Sequence, residues 1–321
     1  MTTTTTNTTF AAEILKDLTS RPRRLSSKWF YDTSGDKIFQ DIMAMPEYYL
    51  TNCEREIYKK CGPDLLKAIG GQPFDLIELG AGDGTKTEHL IDRFIAYGAK
   101  FTYRPIDISA NAIELLGQMV NVQWPNLPYA PLNDDYFAAL DRLGNSNKGI
   151  RRLVLFPGAN VGNFPQEQAA DFLRHLRGFL RPGDLLLTGF DLKKNPDVIL
   201  SAYNDKTGLT ADFNLNLLRR INRELGGDFN LVQWRHWESY DPQTGAARSF
   251  LVSRTNQKVT IGALDRSFRF DAWEAVGVEV SQKYSKREIE ALAGASGFTH
   301  IRHFLDKKEW FADSLWRVGE Q

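Results

Sequence analysis

Cysteine is nearly absent: Cys53 and Cys61 are the only two in 321 residues, too few for a disulfide scaffold and not spaced as a CxxC pair. A reducing compartment and no structural zinc are the expectations. Histidine is scarce too, five scattered residues without an HExxH pattern, so no metal is expected. Charge of one sign is missing, since 40 Lys and Arg balance 40 Asp and Glu, which argues against a nucleic-acid partner. There is no run of about 18 apolar residues to span a membrane. Residues 2–9, mostly Thr, have neither the basic start nor the apolar centre of a signal peptide. The chain therefore reads as an unprocessed cytoplasmic protein, taken as a monomer, with residues 1–9 disordered and no membrane partner. What is present is ordinary: 42% hydrophobic and 25% charged residues support a large core in one or two domains.

Between residues 74 and 190, short β-rich apolar runs alternate with helical patterns, the mark of an α/β fold with a doubly wound parallel sheet. The strand candidates are 75–79, 101–106, a weak one at 129–132, 152–156 and 184–189. Helices fit between them, one after Asp83, one over 110–119 with Ser109 as N-cap, and one over 166–180. Residues 54–69 read as a helix that packs on the sheet. Around 192–285 the alternation breaks into helical patterns at 198–203 and 210–225 and β-like runs at 231–240, 249–252, 259–264 and 277–284. A helix at 286–295 and strands at 298–304 and 315–318 then resume the sheet. The expected domains are 62–191 with 286–321 for the sheet, and an α+β second lobe from 10–61 with 192–285.

The strongest motif, Glu78-Leu79-Gly80-Ala81-Gly82-Asp83-Gly84-Thr85-Lys86, follows a strand and opens a helix. Glycines serve where the backbone turns sharply and a ligand comes close. The third glycine of a dinucleotide loop lies one residue later, so the motif leaves a nucleotide loop and a bare tight turn both open. Asp107 ends the second strand, 27 residues beyond Gly80, where a carboxylate can accept from both hydroxyls of a ribose or cap the helix beginning near Ser109. Asn133-Asp134-Asp135-Tyr136 follows the weak third strand and offers an acid and an aromatic to an adenine, or a plain turn. Together the three clusters suit an adenosine whose other end carries no phosphates, a description that S-adenosylmethionine meets better than NAD. Beyond the fourth strand, Gly158-Ala159-Asn160-Val161-Gly162-Asn163 places Asn160 and Asn163 where open α/β sheets bind ligands, unless Asn163 caps the next helix.

In the insertion, Glu279 and Ser281 stand two apart in a strand-like run and so share a face. A carboxylate and a hydroxyl so placed can grip both nitrogens of an imidazole, or simply form a solvated face. Tyr48, Tyr49 and Tyr203 read equally as core residues with satisfied hydroxyls.

Taken in order, Lys28-Trp29-Phe30-Tyr31-Asp32, Pro46-Glu47-Tyr48-Tyr49, Glu78-Leu79-Gly80, the 158–163 loop, Phe213-Asn214-Leu215-Asn216 and Glu279-Val280-Ser281 resemble the histidine-specific S-adenosylmethionine methyltransferases of ergothioneine biosynthesis. The likeness runs from about residue 21 to the C-terminus and implies a Rossmann-like class I methyltransferase fold with a second substrate-recognition lobe. It implies conversion of L-histidine to Nα,Nα,Nα-trimethylhistidine, hercynine, with S-adenosylmethionine as methyl donor. It further implies that Gly80, Lys86, Asp107, Asp135 and Tyr136, with Gly158, hold the cofactor. Tyr48, Asn163 and Tyr203 would bind the amino acid's carboxylate and amine, Tyr31 would lie beside the amine, and Glu279 with Ser281 would hold the imidazole. Tyr31 and Asn163 are the catalytic candidates. The chain departs from the family's Gly-Ser-Thr-x-Gly-Asn at Ala159 and Asn160, and Phe250 stands where the family places an aliphatic or thioether side chain. It carries no sulfoxide-synthase region, so later steps would fall to a partner enzyme. Rival readings are a methyltransferase of the same fold acting on another amino acid or a histidine derivative, a non-catalytic adenosine-binding module, and an NAD-dependent oxidoreductase.

Overall fold

The computed structural model describes residues 3–144 and 149–319. In chain order it begins with α1 (Thr3–Thr19), α2 (Thr33–Ala44) and α3 (Tyr49–Ile69). The alternating region follows as β1 (Phe74–Leu79), α4 (Glu88–Ala96), β2 (Phe101–Asp107), α5 (Ala110–Gln123), β3 (Leu132–Asn133), α6 (Tyr136–Gly144), β4 (Arg151–Phe156), α7 (Gln166–Gly178) and β5 (Leu185–Asp191). Next come α8 (Pro196–Tyr203), α9 (Leu209–Leu225) and β6 (Trp234–Asp241), β7 (Ala246–Ser253), β8 (Gln257–Ile261), β9 (Arg266–Phe270) and β10 (Ala275–Gln282). The chain closes with α10 (Lys286–Ala295), β11 (Phe298–Leu305) and β12 (Phe311–Val318).

The residues group into two compact units, Met1–Tyr49 with Lys194–Ser281, and Leu50–Lys193 with Gln282–Gln321. The second holds a seven-stranded sheet in the order β11-β12-β5-β4-β1-β2-β3. Strands β1 to β5 pair in parallel, and β12 runs antiparallel to both β5 and β11. The strand order reverses between β1 and β4, so the loops after these two strands leave the sheet at its switch point, where ligands of such sheets bind. Every residue of β1 and β5 is buried, as strands covered on both faces require. Ser109 caps α5 as expected, its hydroxyl accepting from Ala112 N–H at 3.2 Å. Ser285 and Glu288 form a capping box on α10.

The other unit carries a three-stranded sheet, β10-β7-β6, and the β8-β9 hairpin. Its core joins Phe10, Ile14 and Leu18 of α1 to Phe213, Leu217 and Ile221 of α9. The helix begins at Thr3, where residues 1–9 were expected to be disordered; residues 1 and 2 lie outside the described residues. Phe10, Ile14 and Leu18 recur every fourth residue and are buried, and once packing has nucleated a helix its extension adds a hydrogen bond per residue. α2 and β9 add to the elements read from sequence. The division also differs from the expected one: residues 50–61, 192–193 and 282–285 go with the large sheet. For α3 the reason is that Leu50, Cys53, Glu54, Ile57, Tyr58, Cys61 and Leu65 form one buried stripe along its length. At the other boundary, Lys283 and Asp191 form an ion pair of 2.8 Å with both side chains fully buried. Among the described residues, no helix is long and apolar enough to cross a membrane.

Candidate active site

In the large-sheet unit, Gly80, Gly82 and Gly84 all take positive φ, +73°, +55° and +70°, which the turn after β1 requires. A Cβ on Gly80 would stand 2.7 Å from the Tyr136 hydroxyl, so the turn leaves no room for a side chain there. Asp107 closes one flank: its carboxylate accepts from Gly82 N–H at 3.0 Å and Ser109 N–H at 2.9 Å. The Asn133–Tyr136 cluster lies against it, Asn133 Nδ2 donating to the Asp107 carbonyl at 2.9 Å. Asp135 is exposed and accepts from Phe137 N–H at 3.0 Å and Ala138 N–H at 3.1 Å, so it holds the first turn of α6. Tyr136 packs edge-on against Phe156, and burial pushes its phenol well above the ordinary tyrosine value.

The loop after β4 lies beside this turn, Asn160 Nδ2 standing 3.8 Å from a Cβ built on Gly80. Gly158 has φ +75°, and a Cβ there would meet the Lys86 ammonium at 3.1 Å. Glu54 organises this corner. One of its oxygens takes Lys86 Nζ at 2.6 Å, the other takes Gly158 N–H at 2.7 Å, and the side chain is fully buried. Burial works against the Lys86 ammonium, yet Glu54 beside it, with Glu78 and Asp313, holds its pKa above the ordinary lysine value. Asp313 on β12 is driven well above the carboxylate range by burial and by the Glu54 charge. Asn163 is exposed and does not cap α7, whose N-cap is Pro165.

Sequence reasoning missed Glu54 and Asp313. Glu54 left one signal, a carboxylate standing inside the apolar stripe of α3.

Glu78, buried beneath the glycine turn, accepts from Thr87 Oγ1 and Tyr103 OH, both at 2.5 Å. Burial outweighs these bonds and raises its pKa from 4.5 to about 7. Between those values the folded chain holds more protons than the unfolded one, so stability is greatest at low pH and falls as pH rises through the window. Glu78→Gln removes this dependence. Thermal unfolding followed from about pH 5 to 8 should show the wild type losing up to about 3 kcal/mol relative to the variant. Parallel curves would refute the assignment.

In the other unit, Tyr203 on α8 and Ser281 on β10 share a buried hydrogen bond of 2.9 Å. Glu279 precedes Ser281 by two residues on the same strand and so shares its face. Phe250 of β7 reaches that strand as well, its ring within 3.9 Å of a Cβ built on Gly277. Tyr48 stands edge-on to Tyr203 with ring centroids 6.3 Å apart, and Phe39 links Tyr48 to Tyr31 at 6.2 and 5.6 Å. Tyr31 is 43% exposed. Its backbone is fixed from α9, since Arg220 Nη1 donates to the Tyr31 carbonyl at 3.2 Å and Asn216 Nδ2 donates to Asp32 Oδ1 at 2.8 Å. The Asn216 motif thus serves to hold the Tyr31 segment. Asp32 also caps α2 by accepting from Gly35 N–H at 2.8 Å, and a Cβ on Gly35 would overlap the Phe30 carbonyl at 1.9 Å.

The candidates therefore gather in two sets, Gly80, Lys86, Asp107, Asp135, Tyr136, Gly158 and Asn163 in one unit, and Tyr31, Tyr48, Tyr203, Glu279 and Ser281 in the other. A family model described as histidine-specific, SAM-dependent methyltransferase matches residues 10–318. The chain is 33% identical over 303 residues to a histidine N-alpha-methyltransferase of Mycobacterium tuberculosis, covering 94% of this chain and 93% of that one. It is 33% identical over 310 residues to the protein of the same name in Mycolicibacterium smegmatis, with 95% of each chain covered. With ergothioneine biosynthesis protein 1 of Neurospora crassa it shares 30% identity over 299 residues, 90% of this chain and 32% of that protein.

Proposed function

Because the chain belongs to the family of histidine-specific, S-adenosylmethionine-dependent methyltransferases, we propose that it methylates the α-amine of L-histidine three times, giving hercynine as the first step of ergothioneine biosynthesis. The observation that carries this reading is the buried Tyr203–Ser281 bond beside Glu279. A neutral imidazole has one N–H to donate and one nitrogen to accept. Glu279 takes the first. With Tyr203 donating to Ser281, the serine's own proton is directed to the second. Tyr48 and Tyr203 bind the carboxylate and amine.

The residues of the glycine turn suit the methyl donor. Gly80 and Gly158 present no side chain to it, Asp107 offers its carboxylate to ribose hydroxyls, Tyr136 and Asp135 border the adenine, and Lys86 meets a carboxylate. The cofactor supplies an electrophilic methyl on a sulfonium. An ammonium has no lone pair, so the amine must give up a proton before each transfer; a water chain accepts it, or Tyr31 relays it, the phenol oxygen taking that proton as its own O–H proton passes to solvent. Aromatic faces of Tyr31 and Tyr48 favour the methylated cation. Holding the amine in line removes much of the entropic barrier, and three transfers exhaust the nitrogen's valence.

Mass spectrometry of the protein incubated with S-adenosylmethionine and each of the twenty amino acids tests this reading. Histidine alone should gain three methyl groups. Histidine left unmodified while another amino acid gains mass would overturn the imidazole clamp and leave the methyltransferase standing.

A further inference from the structure

The edge strand β11 carries two of the five histidines, His300 and His303. Three residues apart on a regular strand, they would face opposite sides. A register shift between His300 and Arg302 changes this: His300 pairs with Trp316 and His303 with Ser314, partners only two apart. The bulge therefore turns both imidazoles to one face, with ring centroids 4.2 Å apart. On the helix packed against this strand, Glu290 directs its carboxylate to the same place, Oε1 lying 3.4 Å from His303 Nε2.

Among the described residues, no well-formed hydrogen bond completes this cluster beyond the Glu290–His303 contact. His303 is nine-tenths buried, and both of its ring nitrogens, with Nε2 of His300, are buried without a hydrogen-bond partner among the described residues. Native interiors rarely leave buried imidazole nitrogens unmatched. The 3.4 Å spacing is long for a charge-assisted hydrogen bond but close to the ligand-to-ligand edge of a tetrahedral zinc site, about 3.3 Å for bonds of about 2.0–2.1 Å. One donor atom from each of the three residues lies within 4.8 Å of the others, a distance that turns of the exposed Glu290 side chain and the half-buried His300 close. Lys286, one turn before Glu290 on α10, is engaged by Glu309 at 2.6 Å.

We propose that Glu290, His300 and His303 form a binding site for a divalent transition-metal ion such as zinc. Two imidazoles and a carboxylate are the donors such an ion prefers over magnesium or calcium, and three protein ligands leave the fourth position to water. The site lies on the outer edge of the sheet, with β12 and β5 between β11 and the strands that carry the glycine turns. Its ion therefore takes no part in methyl transfer. It fastens α10 to the edge strand more firmly than the 3.4 Å Glu290–His303 contact does by itself.

Untagged, chelator-treated protein titrated with zinc chloride in a calorimeter tests the site. One equivalent should bind per chain with a dissociation constant on the order of micromolar or tighter, and thermal unfolding should rise in temperature with zinc. Cobalt should give the intense visible absorption of tetrahedral coordination. Glu290→Gln, on an exposed helix position, should weaken zinc binding at least about tenfold, and His300→Gln/His303→Gln should abolish it, with the metal-free methylation rate unchanged in both. Absence of binding at about 100 μM free zinc, or an unchanged stoichiometry in the double variant, would overturn the proposal.

Discussion

Glu54→Ala lowers the unfolding free energy by about 3 kcal/mol, because the Lys86 ammonium, on a side chain only 20% exposed, loses the fully buried carboxylate that lies 2.6 Å away. For a chain of 321 residues the fall in melting temperature is about 5 °C. The same change frees Gly158 N–H from its 2.7 Å acceptor, so the glycine loop after β4 loses its anchor and S-adenosylmethionine binds at least about tenfold more weakly. The informative comparison is with Glu54→Gln/Lys86→Met. Removing both charges costs less than removing one, because no uncompensated ion remains. Calorimetric unfolding and cofactor titration of wild type, single and double variants measure both effects. A single variant that melts within a degree of wild type and binds the cofactor as tightly would remove Glu54 from the site.

Glu279→Ala raises the KM for histidine between about tenfold and a hundredfold, the loss expected when a charged acceptor no longer meets an imidazole N–H. The KM for S-adenosylmethionine stays within about twofold, since Glu279 belongs to the unit that lacks the glycine turn. Steady-state kinetics with each substrate varied in turn separates the two. If the histidine KM does not move, the imidazole is held elsewhere, and Phe250, whose ring lies close to the same strand, is the next residue to vary.

Much of this was legible in the chain because the signals are local. Buried strands read as apolar runs, the turn after β1 needs glycine, and Ser109 caps its own helix within three residues. Asp107 was readable because a carboxylate at the end of a second strand falls beside the first glycine turn in any sheet of this topology. Asp135 and Asn163 were less so: the first is partly occupied in capping α6, and the second does not cap α7, whose N-cap is Pro165. The segment around α2 was opaque because its aromatics have no single period; they pack on α9, whose Asn216 lies 184 residues from the Asp32 it binds.

Sequence alone determined the alternation of strands and helices, the glycine turn with Asp107 beside it, the strand face shared by Glu279 and Ser281, and the family resemblance that joins them. Each depends on residues a few positions apart, whose geometry the backbone's own periods dictate. Tertiary structure alone decided that Glu54, 104 residues before Gly158, holds both that loop and Lys86, that Tyr203 bonds Ser281, and that a bulge brings His300 and His303 to one side of β11. Such contacts join distant parts of the chain only after the core has packed, and no local pattern encodes which buried carboxylate will meet which cation.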